Sequence, residues 1–164
     1  RVPDVRLAIV GRTPSAVVRA LGDNHPNVTV TGSVPDVRPY LERGALFVIP
    51  LRIGGGTRLK VFEAMAMEKA VVSTTVGAEG LPVTDGTELL LADEPASFAD
   101  AVVRVLSDTS YAFELGQRAA STVRKNHGWR HVAESFLSIC INSASSSAKI
   151  KSRLVLNEDT GVVV

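Results

Sequence analysis

The sequence predicts an α/β fold, a parallel β-sheet with helices on both faces. Short runs rich in valine, isoleucine and leucine alternate with segments of helical pattern, the order that builds parallel sheets through crossover helices. These runs are apolar throughout rather than at every second residue, which is how strands read when both faces are covered. An apolar share of 45% in 164 residues, with formal net charge +1, supplies one ordinary core. The pattern is Rossmann-like, in a single domain over residues 1–142.

Residues 5–11, VRLAIVG, open the alternation as a strand closed by a glycine, and the helical pattern of residues 14–21 follows. The second pair is the strand VTVTG, residues 28–32, with a helix over 36–43. The third is ALFVIP, residues 45–50, whose proline cannot continue a ladder, followed through glycines by a helix over 57–68. AVVST, residues 70–74, and ELLLA, residues 88–92, complete the strands. Helical periodicity then runs over 96–107, 111–125 and 129–141. From residue 143 a serine-rich stretch reads as a linker and tail, 143–164, to which no role is assigned.

Composition excludes several classes. With 18 lysines and arginines against 17 aspartates and glutamates, there is no charge excess to coat nucleic acid or an anionic membrane, so no nucleic-acid partner is expected. The single cysteine permits no intrachain disulfide. The opening RVPDVRLAIVG lacks the basic start and long apolar run of a secretion signal, and no run nears the roughly 20 apolar residues of a membrane span. A cytoplasmic setting is therefore expected.

In an open parallel sheet, ligands gather at the C-terminal ends of the strands. The first such loop, GRTPSA, lacks the second glycine of the dinucleotide fingerprint. The loop after ALFVIP is different: Gly54, Gly55 and Gly56 present backbone without side chains at the opening of a helix, whose first N–H groups favour an anion. That suits a diphosphate, although glycines also serve plain turns. In the helix, Leu59, Val61, Phe62, Ala64, Met65, Ala66 and Met67 fall nearly all round the wheel, so the element is expected to be buried and Glu63 to sit on it as a costly carboxylate. Glu63 pairs with Lys60 one turn back, or it serves a ligand. Seven residues beyond Gly56, at ~1.5 Å each, it lies ~10 Å on, a span that fits the gap from a diphosphate to its ribose hydroxyls.

Residues 32–81, GSVPDVRPYLERGALFVIPLRIGGGTRLKVFEAMAMEKAVVSTTVGAEGL, resemble the donor-binding region of GT-B glycosyltransferases. The group is the large retaining one, group 1 or family four, that includes sucrose synthase and bacterial cell-envelope mannosyl- and glucosyltransferases. FEAMAM followed by AVVST and GAEGL carries the likeness, with support from GSVPDV, residues 92–108 and HGWRHVAESF. The resemblance covers about residues 2–140. It implies a nucleotide-diphosphate-sugar donor, Glu63 on the ribose and the loop of Gly54, Gly55, Gly56 and Thr57 against the diphosphate. It further implies Arg58 and Lys60 as replacement cations near the phosphates, and Gly77, Ala78 and Glu79 as a loop lining the sugar pocket. No metal or other cofactor is implied.

Three departures qualify it. The family's first glutamate, eight positions before the second, is here Gly55. Its A-x-G-x-P-V-V reads AMEKAVV, so Glu68 and Ala70 replace a glycine and a proline. A first strand-helix unit bearing an arginine and a lysine that grip the diphosphate would precede residue 1. The chain is thus expected to be the C-terminal, donor-binding half of the enzyme, inactive alone and completed by an N-terminal acceptor-binding domain. The full protein would associate peripherally with the inner membrane face, and an unpaired strand edge would favour a homodimer of this piece. A degenerate noncatalytic nucleotide-binding module and a nucleotide-sugar epimerase are the alternatives.

Overall fold

The computed structural model describes residues 2–158, with side chains described for residues 2–143. Four strands, β1 (Leu7–Val10), β2 (Val28–Gly32), β3 (Leu46–Ile49) and β4 (Ala70–Ser73), alternate with helices α1 (Ala16–Asn24), α2 (Arg38–Arg43) and α3 (Leu59–Ala66), and a fifth, β5 (Leu90–Leu91), follows β4. Three more helices follow: α4 (Pro95–Ser107), α5 (Thr109–His127) and α6 (Trp129–Glu158). The chain divides into two compact units between Val123 and Arg124. All five strands lie in the first.

Every strand pairing is parallel, joined by helical crossovers except between β4 and β5, where residues 74–89 make the connection without a helix. Hydrogen bonds divide the strands into two ladders, β1-β2 and β3-β4-β5. In the first, Leu7 stands opposite Val28, with an irregularity between Ile9 and Val10; in the second, Leu46 stands opposite Ala70 and Val72 opposite Leu90.

The core is organised around β4, all four residues of which are buried. Side chains of a strand alternate between faces. Val71 joins Val61, Ala64 and Met65 of α3, Leu41 of α2 and Ala119 of α5 on one side. Ala70 and Val72 join Val105 of α4 and Leu115 of α5 on the other. Lys69, just before β4, donates its ammonium to the carbonyls of Glu42 and Gly44, closing the C-terminal end of α2. Ser15 and Asp108 cap α1 and α5, their side chains accepting from the amides of Val18 and Tyr111.

The turn from α3 into β4 carries one of the departures noted in the sequence. Lys69 N–H bonds the Ala64 carbonyl and Glu68 N–H bonds that of Met65, the pairing of a Schellman motif. Glu68 therefore holds the left-handed position with φ 60°, a conformation that glycine adopts without strain. Its side chain accepts a 2.6 Å bond from Gln117. Gly116 of α5 sits against the Glu68 carbonyl so closely that a Cβ there would overlap it.

The serine-rich run read from the sequence as a linker is helical through Glu158. Alanine, serine and lysine without glycine or proline give a helix no stop signal. Residues 159–164 of the expected tail lie outside the described residues.

Replacing Gly116 by alanine forces a methyl into the Glu68 backbone, and overpacking of this kind costs about 1–3 kcal/mol. Urea unfolding of Gly116→Ala should show a midpoint lowered accordingly.

Candidate functional site

The site candidates gather where the parallel strands end. Residues 50–58 leave the C-terminal end of β3, residues 74–81 leave that of β4, and residues 92–94 that of β5. In a right-handed parallel sheet these loops necessarily fall on the same edge.

Within the first loop, Gly56 has φ 92°, which only glycine takes up without strain. Gly55 faces open space, with nothing within 4 Å of where a Cβ would stand. Among the described residues, the backbone N–H groups of Gly54, Gly55, Gly56 and Thr57 donate to no protein acceptor. The loop therefore offers a row of donors at the entrance to α3, where the helix dipole adds partial positive charge.

Arg58 ends that loop, and its side chain is only 7% exposed. Its guanidinium donates to the carbonyls of Gly55 (3.3 Å) and Gly54 (3.2 Å) and, across to the next loop, to that of Val76 (2.7 Å). Glu79 approaches the same guanidinium at 3.4 Å, yet the Glu79 side chain is 73% exposed. The buried Nε has no partner. Arg58 was expected as a cation near the phosphates; the acid beside it is Glu79.

A second stitch was missed from sequence. The buried Thr74 hydroxyl donates to the Leu51 carbonyl and accepts from Gly77 N–H at 3.0 Å. Gly77 is required sterically, since a Cβ there would lie 2.9 Å from the Ile49 side chain. Next along, Asp93 accepts from the Thr75 hydroxyl (2.7 Å) and amide (2.8 Å). Those two bonds, the hydroxyl's first, hold the Asp93 carboxyl below its ordinary range. A shallow cleft of about 340 Å³ runs between Leu51, Arg52, Thr74, Val76 and Asp93.

The expectation that α3 is apolar on every side and buries Glu63 is corrected. Val61, Ala64 and Met65 are buried, whereas Leu59 is 62% exposed and Lys60, Glu63 and Ala66 also face solvent. An eight-residue helix against one sheet face hides a single stripe, and the remaining apolar residues stay outside it. Lys60 and Glu63 form no ion pair among the described residues. The charge of Glu63 is felt instead by Arg38 of α2, whose guanidinium is held above its ordinary range chiefly by hydrogen bonding to Asp36. The structure thus joins Gly54, Gly55, Arg58 and Glu79 directly, with Gly77 and Ala78 between the two stitches. Thr57, Lys60 and Glu63 lie exposed beyond them.

Comparison with known proteins places this geometry in context. The family described as glycosyl transferases group 1 matches residues 1–108. A lipopolysaccharide core biosynthesis mannosyltransferase, LpcC of Rhizobium leguminosarum bv. viciae, is 32% identical over 129 residues, covering 77% of this chain and 36% of that protein. Among solved structures, sucrose-phosphate synthase from Thermosynechococcus elongatus superposes with a TM-score of 0.71 at 22% identity, over 86% of this chain and 39% of the synthase. The C-terminal domain of a group 1 family protein (LpcC) from Francisella tularensis gives 0.69 at 20% identity, over 79% of this chain and 73% of that one. The fold is that of a GT-B glycosyltransferase half, and the chain spans 36% of the length of the curated relatives it matches.

Two expectations follow from the loops. Gly55→Glu should fold with stability within about 1 kcal/mol of the parent, since its Cβ meets nothing, whereas Gly56→Ala should lose about 1–2 kcal/mol to its left-handed backbone; urea titrations compare them. Asp93 stabilises the fold where it is ionised in both states, so its contribution is present above pH 3.8 and disappears as pH falls through the lowered native value. The unfolding midpoint of the parent should therefore exceed that of Asp93→Ala at pH 6, and the difference should shrink below about pH 4.

Proposed function

The chain belongs to the group 1 glycosyl transferases, and on that basis we propose that residues 1–142 form the donor-binding domain of such an enzyme. The loop of Gly54, Gly55, Gly56 and Thr57 receives the diphosphate of a nucleotide sugar. The single observation that carries this reading is the set of unbonded loop N–H groups at the start of α3, with a buried arginine directly beneath them. Lys60 adds positive charge from the first turn, and Glu63, exposed on the next, accepts from the two ribose hydroxyls. Gly77, Ala78 and Glu79 border the sugar.

In the transfer, the bond between the anomeric carbon and the diphosphate oxygen breaks. A bond from that carbon to an acceptor hydroxyl oxygen forms, and the acceptor's proton passes to the departing diphosphate or to water. Negative charge grows on the departing diphosphate, where fixed N–H donors and the helix dipole act without reorganising. One such donor is typically worth ~2.7–4 kcal/mol of barrier in a water-poor site. The chain's own donors and cations supply this stabilisation, so the proposal calls on no metal. Following the family resemblance, the sugar is a hexose transferred with retention, in the assembly of a cell-envelope polysaccharide on the cytoplasmic side of the membrane. A second, acceptor-binding domain closes the cleft, so this chain alone binds donor without transferring it.

A noncatalytic nucleotide-binding module is the alternative, favoured by Gly55 where the family places its first glutamate. Sugar transfer by the protein joined to its acceptor domain would eliminate it.

Calorimetric titration with UDP, GDP and ADP should show one of them saturating the chain. Glu63→Ala should weaken that binding about tenfold or more, the cost of leaving the ribose hydroxyls unpaired. Equal affinity in the variant would remove Glu63 from the site, and no binding at millimolar nucleotide would overturn the assignment of the donor site to this chain.

A further inference from the structure

Arg58, Ser73 and Thr74 are the buried polar side chains of the described core, and Arg58 alone among them carries charge. A buried guanidinium is costly unless its charge and its donors are satisfied. Here the donors are spent on backbone carbonyls of two different loops, and Nε is left over. Among the described residues the one carboxylate in reach, Glu79, stands 3.4 Å away and is mostly in water. Such a pair contributes little to stability. The arrangement makes better sense as a clamp with charge to spare than as an ion pair.

We infer that Arg58 is a positioning residue that fastens the glycine loop to residues 76–79, with Glu79 as an exchangeable counter-ion that yields when an anion occupies the loop. The guanidinium fork is what allows one side chain to hold Gly54, Gly55 and Val76 together; an ammonium has no such planar spread. With the loops held, the N–H row stays aimed without further ordering when a ligand arrives. A diphosphate on that row neutralises Arg58 through the loop, and the weak hold on Glu79 is released. This second step rests on the donor-binding reading above; the clamp itself does not.

The two parts are tested separately, in phosphate-free buffer, on Arg58→Gln, Arg58→Lys, Glu79→Gln and the Arg58→Gln/Glu79→Gln double variant. Without nucleotide, amide exchange at Gly77, Ala78 and Leu81 should accelerate about tenfold in Arg58→Gln, and Arg58→Lys should not restore protection because it lacks the fork. Unchanged exchange in both variants would overturn the clamp. If Arg58→Gln does not fold, Arg58→Lys decides this part by the same measurement.

With UDP, GDP or ADP as probe, Glu79→Gln should bind the diphosphate about two- to tenfold more tightly while leaving uridine, guanosine or adenosine affinity unchanged, and the gain should vanish in the Arg58→Gln background. A merely structural Glu79 would move diphosphate and nucleoside alike. A gain that persists without Arg58, or no gain at all, would overturn the counter-ion role. If the parent chain binds none of the three nucleotides, the donor reading falls and takes the counter-ion exchange with it, while the exchange data still judge the clamp.

Discussion

The burial of β4 on both faces is the constraint from which the rest of the first unit follows. Val71 is committed to one core cluster while Ala70 and Val72 are committed to the other, so α3 must cover one side of the sheet and α4 the other. A slip of one residue would exchange the two sets and leave neither cluster filled. Fixed in this way, the strand delivers Ser73, Thr74 and Thr75 to a defined height at its C-terminal end. Thr74 can then bridge to Leu51 and Gly77, and Thr75 to Asp93, without adjustment. The packing of a handful of small apolar side chains thereby sets the positions of the polar ones that follow them at the strand's end.

The same end of the sheet shows how a protein of nearly balanced charge can concentrate positive potential locally. Its positive potential comes from oriented N–H groups and one guanidinium held where water cannot screen it, rather than from a basic surface. Glycines make this geometry available for different reasons at different positions. Gly56 supplies a left-handed backbone, Gly77 permits close approach to Ile49, and Gly55 opens onto free space.

Much of this was legible in the sequence. The strand at 28–32 and the helix starting at Trp129 lie where the pattern puts them, because β-branched runs and turn residues act locally. The glycine loop was visible for the same reason. Glu63 was misjudged as buried because a wheel of apolar residues says nothing about how much of a helix its neighbours reach, and only one stripe of α3 meets the sheet. The Arg58 contact to the Val76 carbonyl and the Thr75–Asp93 bonds each span 18 residues, a tertiary outcome that no local signal announces. Glu68 is intermediate: the sequence flagged it as a departure, and the left-handed turn explains why glycine is the ordinary choice.

The division of the strands into two ladders has a consequence for how the unit comes apart. No residue from 2 to 40 is fully buried, so β1, α1 and β2 share neither hydrogen bonds with β3-β4-β5 nor a side chain in the deep core. Two parallel strands and one helix are too little to stand alone in water. Among the described residues of the first unit, β1, α1 and β2 hold no buried side chain, and segments of few buried apolar contacts are those that open at the lowest cost. The glycine loop is fastened instead to the β4 side of the sheet, through Arg58 to Val76 and through Leu51 to Thr74.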